Sequence, residues 1–323
     1  MSAHLALGSG ASIAHHEADL TSHTVMSARQ RSADTATPKA PGTRRAPPEP
    51  RQTRAGLCPE HSAQAALQQL LQVCAADFDR HLAAVMASET PEGPHGARVA
   101  LRRLRTALGA FAPLLRRRPA RRLEREARAL FRCLGRLRDA DVLAEAAAGT
   151  PEAAAQGAAA VRCRAEVRGE LEAAGAAGFP ARIADFTEGT GWRRRGRKRI
   201  ARGPVERVAA DALDEAWERL QRHRKGLRRM PAQERHTLRK DLKALRYQTD
   251  FFAALWPGRR QEDFLFRLKL LQDNLGILND LALTEARLDS GGSAAGPAAT
   301  EALRQAARDW RKLRRRRAWW RRR

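Results

Sequence analysis

His95-Gly96-Ala97-Arg98-Val99-Ala100-Leu101-Arg102-Arg103-Leu104-Arg105 has a second copy 141 residues further on, His236-Thr237-Leu238-Arg239-Lys240-Asp241-Leu242-Lys243-Ala244-Leu245-Arg246. Both read H-x-x-R-x-x-L-(R/K)-x-L-R. At about 100° per residue, the histidine and three cations of each copy fall within an arc of roughly 80°. Leu101, Leu104, Leu108 and Phe111 point the other way, as do Leu242, Leu245 and Phe252. Each segment is thus an amphipathic helix with an apolar back and a cationic front. The same offset relates Leu134-Gly135-x-Leu137-x-Asp139 to Leu275-Gly276-x-Leu278-x-Asp280. An offset kept over some forty residues marks an internal duplication.

The remaining composition agrees with a helical protein. The 323 residues are rich in Ala, Leu and Arg, 30% charged and only 5% aromatic. Few β-branched residues and many strong helix formers predict an all-α fold. A formal net charge of +25 predicts a polyanionic partner: nucleic acid, inorganic polyphosphate or an anionic membrane. Part of the Arg and Ala excess can reflect base composition alone, so the position of the charge carries more weight than its amount. No apolar run reaches the ~20 residues of a membrane span, and the N-terminus lacks the pattern of a secretory signal. The expectation is a soluble, cytoplasmic protein. Cys58, Cys74, Cys133 and Cys163 form no C-x-x-C pair, and three of them sit in helical patterns as reduced thiols.

Taken in order, residues 1–60 mix Ser, Ala, Thr, His and Pro without a sustained apolar period and read as a disordered N-terminal region. Periodicity then predicts helices over about 60–88, 94–115, 119–147 and 151–174, with a short apolar turn around Phe179, Ile183 and Phe186. A basic junction at 191–203 separates a first half, 61–190, from a second, 204–309. In the second half helices are expected over about 204–229, 231–256, 260–288 and from about 299. The end, 310–323, is a basic tail with interleaved Trp310, Trp319 and Trp320. Such a tail can bind nucleic acid, and can equally be a frayed extension. His61, His81 and His223 lack any repeated context and are read as surface residues.

Four donors over ten residues span about 15 Å of helix, a row suited to a linear polyanion with regularly repeating oxyanions. No carboxylate pair, nucleophile–base pair or metal cluster accompanies the row, so no catalytic residue, metal or cofactor is assigned. Neighbouring cations at i, i+4 repel, and an anion relieves that repulsion. Gly135 and Gly276 are expected to permit close helix approach, and Asp139 and Asp280 to hold an Arg of the cationic helix.

At these residues the sequence resembles the CHAD family, the conserved-histidine α-helical domain. The matching pieces are His95 to Phe111, Leu134 to Leu143, His236 to Phe252 and Leu271 to Asp280, and the likeness covers about 62–290. The resemblance implies two pseudo-symmetric four-helix bundles around a central basic groove that binds inorganic polyphosphate; with no catalytic constellation in the sequence, a non-enzymatic binder is expected. It also implies targeting to polyphosphate granules. Carried across, the groove residues are His95, Arg98, Arg102 and Arg105 with His236, Arg239, Lys243 and Arg246. The third helix departs from symmetry: Arg121, Arg125 and Arg132 correspond by offset to Glu262, Phe266 and Asp273. Only Arg128 keeps a basic counterpart, Lys269, and this pair joins the expected site.

Nucleic-acid binding is the alternative function. Single-strand binders interleave aromatics with cations so that bases stack, and the cationic faces here have almost none, Tyr247 being the sole tyrosine.

Overall fold

The computed structural model describes residues 56–287 and 296–321. Among them the regular structure is helical, with two isolated bridges and no strand. The long helices of the first half are α1 (Ala63–Ala87), α2 (Glu92–Ala110), α3 (Arg117–Ala147) and α4 (Ala153–Ala173). Two short helices follow, α5 (Phe179–Thr187) and α6 (Lys198–Arg202). The second half contributes α7 (Val205–Gln221), α8 (Ala232–Phe252), α9 (Arg259–Arg287) and α10 (Gly296–Arg314). Helices adjacent in the chain pack on each other: α1 on α2, α2 on α3, α3 on α4, and then α7 on α8, α8 on α9, α9 on α10.

Local chemistry sets the ends of α1. Ser62 Oγ accepts from the Ala65 amide at 3.2 Å and caps its start. Ser88, the residue after its last turn, returns its hydroxyl to the Ala84 carbonyl at 2.9 Å. Two glycines one turn apart then let α2 lie close against α1. A Cβ on Gly93 would stand 3.0 Å from the Val85 amide nitrogen, and one on Gly96 would enter the His81 ring at 2.3 Å. Between the same helices Asp77, fully buried, accepts from Arg103 at 3.2 Å and from Arg80 at 2.7 Å. Arg103 therefore belongs to the cationic helix but not to its front.

The two halves meet through equivalent pieces. The start of α1 is bonded to the start of α7: the Ala63 amide donates to the Gly203 carbonyl at 2.9 Å and the Val205 amide to His61 at 3.0 Å. Cationic helices α2 and α8 pack on each other. At their C-terminal ends, Phe111 and Phe252, related by the 141-residue offset, have ring centroids 6.1 Å apart. This is the kind of contact a two-fold relation brings about; the duplication itself rests on the sequence offset.

Several sequence expectations need correction. The disordered region expected over 1–60 lies outside the described residues up to position 55. From there the chain is already in the fold, because Leu57 is buried in the core. The start of the basic junction at 191–203 is anchored to the first half. Trp192 is buried, the Arg116 amide donates to its carbonyl at 2.7 Å, and the Arg194 amide donates to Leu114 at 2.8 Å. The Trp-bearing tail is neither frayed nor free. Its residues 310–314 complete α10, and Trp310, Trp319 and Trp320 are all buried. Trp319 and Trp320 pack on Phe264, Trp319 also on Trp256. Trp320 donates its indole N–H to Asp214 at 2.7 Å, and Arg321 pairs with Asp214 and Asp211. The apolar demand of the core outweighs the charge around these rings.

The three histidines read as surface residues are also partly enclosed. His61 Nδ1 accepts from the Cys58 amide at 3.0 Å, His81 fills the space left by Gly96, and His223 Nε2 pairs with Asp241 at 2.8 Å. All four cysteines are free, and burial pushes the Cys74 thiol up to about 12.

Candidate anion-binding cleft

Where α2 and α3 face α7 and α8, a half-open cleft of about 730 Å³ forms. Arg102, Arg105 and Thr106 enter it from α2; His236, Arg239, Lys240, Lys243 and Gln248 enter from α8. Glu124 and Phe131 come from α3, Glu215 and Arg219 from α7. Five residues of the two sequence-defined cationic faces thus share one wall: Arg102, Arg105, His236, Arg239 and Lys243. They are brought together because each helix turns its leucines inward. Leu101 and Leu104, like Leu242 and Leu245, are buried, so the positions opposite them face the cleft.

The remaining expected residues sit elsewhere. His95 is partly buried behind this wall, and its Nε2 has no hydrogen-bond partner among the described residues. Burial, then the charges of Arg138, Arg102, Lys243 and Arg98, lower its pKa to about 4. At neutral pH it is therefore an uncharged imidazole inside a cluster of cations drawn from both halves. Arg98 is turned back onto α3. Its Nη1 donates to the Phe131 carbonyl at 3.0 Å, and its guanidinium lies 4.1 Å from the Phe131 ring centroid. Burial and Arg102 hold its pKa below the usual range, while Asp139 opposes them.

Arg246 donates to Gln272 at 3.3 Å and faces Asp250 at 3.7 Å. Arg128 is exposed and paired with Glu124 at 2.8 Å, on the outer side of that carboxylate. Lys269 is exposed and paired with Asp273 at 2.5 Å, away from the cleft lining.

The Leu-Gly-x-Leu-x-Asp glycines differ from the expectation of close helix approach. A Cβ on Gly135 would stand 2.3 Å from Arg98 Nη1, so the missing side chain makes room for a guanidinium rather than a helix. A Cβ on Gly276 would meet nothing within 4 Å. Asp139 acts on Arg98 through its charge, as the same motif suggested, whereas the side chain of Asp280 lies outside the described residues.

Sequence reasoning missed the carboxylates of the cleft. Glu124 pairs with Arg128 and lies 3.8 Å from Arg105; Glu215 pairs with Arg219 at 2.5 Å. Both lie on helices other than the two cationic ones, so no pattern within those helices announces them. Lys240 and Arg219 were missed for different reasons. Lys240 lies outside the arc of the repeated motif, and Arg219 sits on a helix without that motif.

Chemically, the cleft offers a dense set of cationic donors. Guanidinium forks and ammonium groups bind oxyanions through charge-assisted hydrogen bonds. Its one lining aromatic, Phe131, is already covered by Arg98 and by Arg102, whose guanidinium carbon is 5.2 Å from the ring centroid. No helix among the described residues is long and apolar enough to cross a membrane.

Comparison with known proteins places the fold. The crystal structure of the CHAD domain from the plant Ricinus communis is similar, with a TM-score of 0.56 and 22% identity, over 82% of this chain and 95% of that one. PptA from Streptomyces chartreusis aligns with a TM-score of 0.41 and 20% identity, over 79% of this chain and 95% of that one. No curated protein sequence matches. The family model described as the CHAD domain matches residues 69–289, which span α1 to α9 and every cation of the cleft, and the chain accordingly belongs to the CHAD-domain family.

Proposed function

We propose that this protein is a non-enzymatic binder of inorganic polyphosphate, held in the cleft between α2 and α8. One observation carries the reading: two cationic faces far apart in sequence line the same 730 Å³ cleft. A linear chain of phosphates meets a donor from one half and then from the other, and multivalence along one chain raises affinity without any further contact type. Membership in the CHAD family supports polyphosphate as the polyanion, and granule association as the consequence of binding. The basic groove expected between two pseudo-symmetric bundles is, on this reading, the cleft itself.

The nucleic-acid alternative loses support from two features. The tail tryptophans are buried, and the Phe131 ring is occupied by guanidinium groups. Neither leaves an aromatic face for a base to stack upon.

Titration calorimetry tests the proposal. Polyphosphate is expected to bind wild type tightly and with strong salt dependence, and to bind Arg102→Ala/Lys243→Ala at least about tenfold more weakly. Unchanged affinity in the double variant removes the cleft as the site. Displacement of polyphosphate by single-stranded RNA at matched phosphate concentration favours the alternative. Release of orthophosphate from polyphosphate, abolished by changing His236, would make the protein a hydrolase.

A further inference from the structure

The cleft does not end at its carboxylates. Glu124 also borders a second cavity of about 830 Å³, walled by Arg118, Arg121, Arg122 and Arg125. Glu215 also borders a third, of about 690 Å³, walled by Arg116, Arg117 and Arg194. Arg116 and Arg118 line both outer cavities, so these two adjoin at the start of α3, and each shares one carboxylate with the cleft. Two carboxylates, one from each half, thus stand where a basic cleft opens onto a surface of arginines.

That surface is poorly explained by folding alone. Arg117, Arg118, Arg121, Arg122 and Arg125 are exposed. None has a carboxylate within ion-pair distance among the described residues. Arg117–Arg121, Arg118–Arg122 and Arg121–Arg125 are like-charge pairs at i, i+4, each mildly destabilising. Arg117 and Arg118 also lie in the first turn of α3, the positive end of the helix dipole, where cations are disfavoured. Nor is this a general excess of arginine, because Glu262 and Phe266 occupy the positions matching Arg121 and Arg125 by the 141-residue offset.

We propose that these arginines form an outer platform continuing the path of the same polyanion. A chain bound in the cleft leaves it between Glu124 and Glu215 and lies along the first turns of α3. From Arg117 to Arg125 the platform adds about 12 Å of helix to the path. The cleft then holds a short run of phosphates, and the platform makes affinity depend on chain length. This inference rests on the polyphosphate reading.

The test is calorimetry with polyphosphates of graded length on three proteins: wild type, the cleft variant Arg102→Ala/Lys243→Ala, and the platform variant Arg118→Ala/Arg121→Ala/Arg122→Ala/Arg125→Ala. The platform substitutions place a strong helix former at exposed sites, and thermal unfolding verifies the fold. The platform variant is expected to match wild type for the shortest chains that bind. For long chains it should fall behind by about tenfold or more, with a shallower salt dependence. The cleft variant should lose affinity at every length.

Equal affinity of platform variant and wild type at all lengths overturns the platform while leaving the cleft intact. An equal loss at every length also overturns it, since the arginines would then act only as a general field. Failure of wild type to bind any polyphosphate overturns both proposals together.

Discussion

The guanidinium of Arg98 occupies the space that a side chain at Gly135 would fill, with Nη1 2.3 Å from the Cβ position. The cationic helix is thereby locked onto α3 by one of its own cations, which donates to the Phe131 carbonyl. The equivalent glycine of the second half, Gly276, faces open space.

This pair of glycines should respond oppositely to alanine. Gly276→Ala is expected to stabilise by about 0.5–1 kcal/mol, the ordinary helix-propensity gain. Gly135→Ala displaces Arg98 from its hydrogen bond and should destabilise by about 1 kcal/mol net of the same gain. Urea unfolding of both variants decides it. A stabilised Gly135→Ala would show that the Arg98 seat contributes nothing.

His95 predicts a pH dependence with a definite sign. Its pKa is about 4 in the fold and near 6.5 when exposed. Between these values the unfolded chain binds the extra proton, so stability is fully present above about 6.5 and declines as pH falls towards 4, by up to about 3 kcal/mol. His95→Gln should flatten that part of the stability–pH profile. A profile identical to wild type would show that the imidazole does not titrate as its surroundings demand.

Ligand binding should reverse the same effect. A polyanion lying on Arg102 and Lys243 offsets two of the charges that depress His95. Polyphosphate binding at about pH 5.5 is therefore expected to take up protons, seen as a buffer-dependent binding enthalpy. Its absence in wild type would separate His95 from the ligand.

Glu124 and Glu215 oppose a polyanion in the cleft. Glu124→Gln is expected to strengthen polyphosphate binding by roughly three- to tenfold, chiefly at low salt. Weakened binding would mean that Glu124 serves mainly to hold Arg105 and Arg128 in place.

The tail should behave as core. Trp320→Ala is expected to cost about 3–5 kcal/mol of stability, as for other buried aromatics. The folded fraction should keep its polyphosphate affinity. Loss of affinity at unchanged stability would restore a binding role to this segment.

The long helices and their cationic faces were legible because the evidence for them is local. Leucines at three- and four-residue spacing fix which side of α2 and α8 is buried, and the repeated motif announces that the opposite side matters. What escaped depends on contacts between segments. Glu124 and Glu215 reach the cleft only through the packing of α3 and α7 beside the cationic helices. Arg103 has the same chemistry as Arg102, one residue away, yet it serves the core through Asp77. The tryptophans near the end looked like a stacking surface because arginines surround them. Only the position of Phe264 and Trp256 reveals that the rings fill the core.

The buried pair Trp319 and Trp320 also orders events during synthesis. The first half has its core aromatics in hand once Trp192 has emerged, more than a hundred residues earlier. In the second half Phe264, already packed on Trp217, and Trp256 lack these two indole neighbours until residues 319 and 320 arrive. Segments emerging first from the ribosome fold first, and an incomplete core is the state most exposed to aggregation. The nascent chain would thus carry α1–α4 before the helices that complete their packing, with the second half still short of two core aromatics. The packing of α7 and α9 around Phe264 is complete only once residues 319 and 320 have been released.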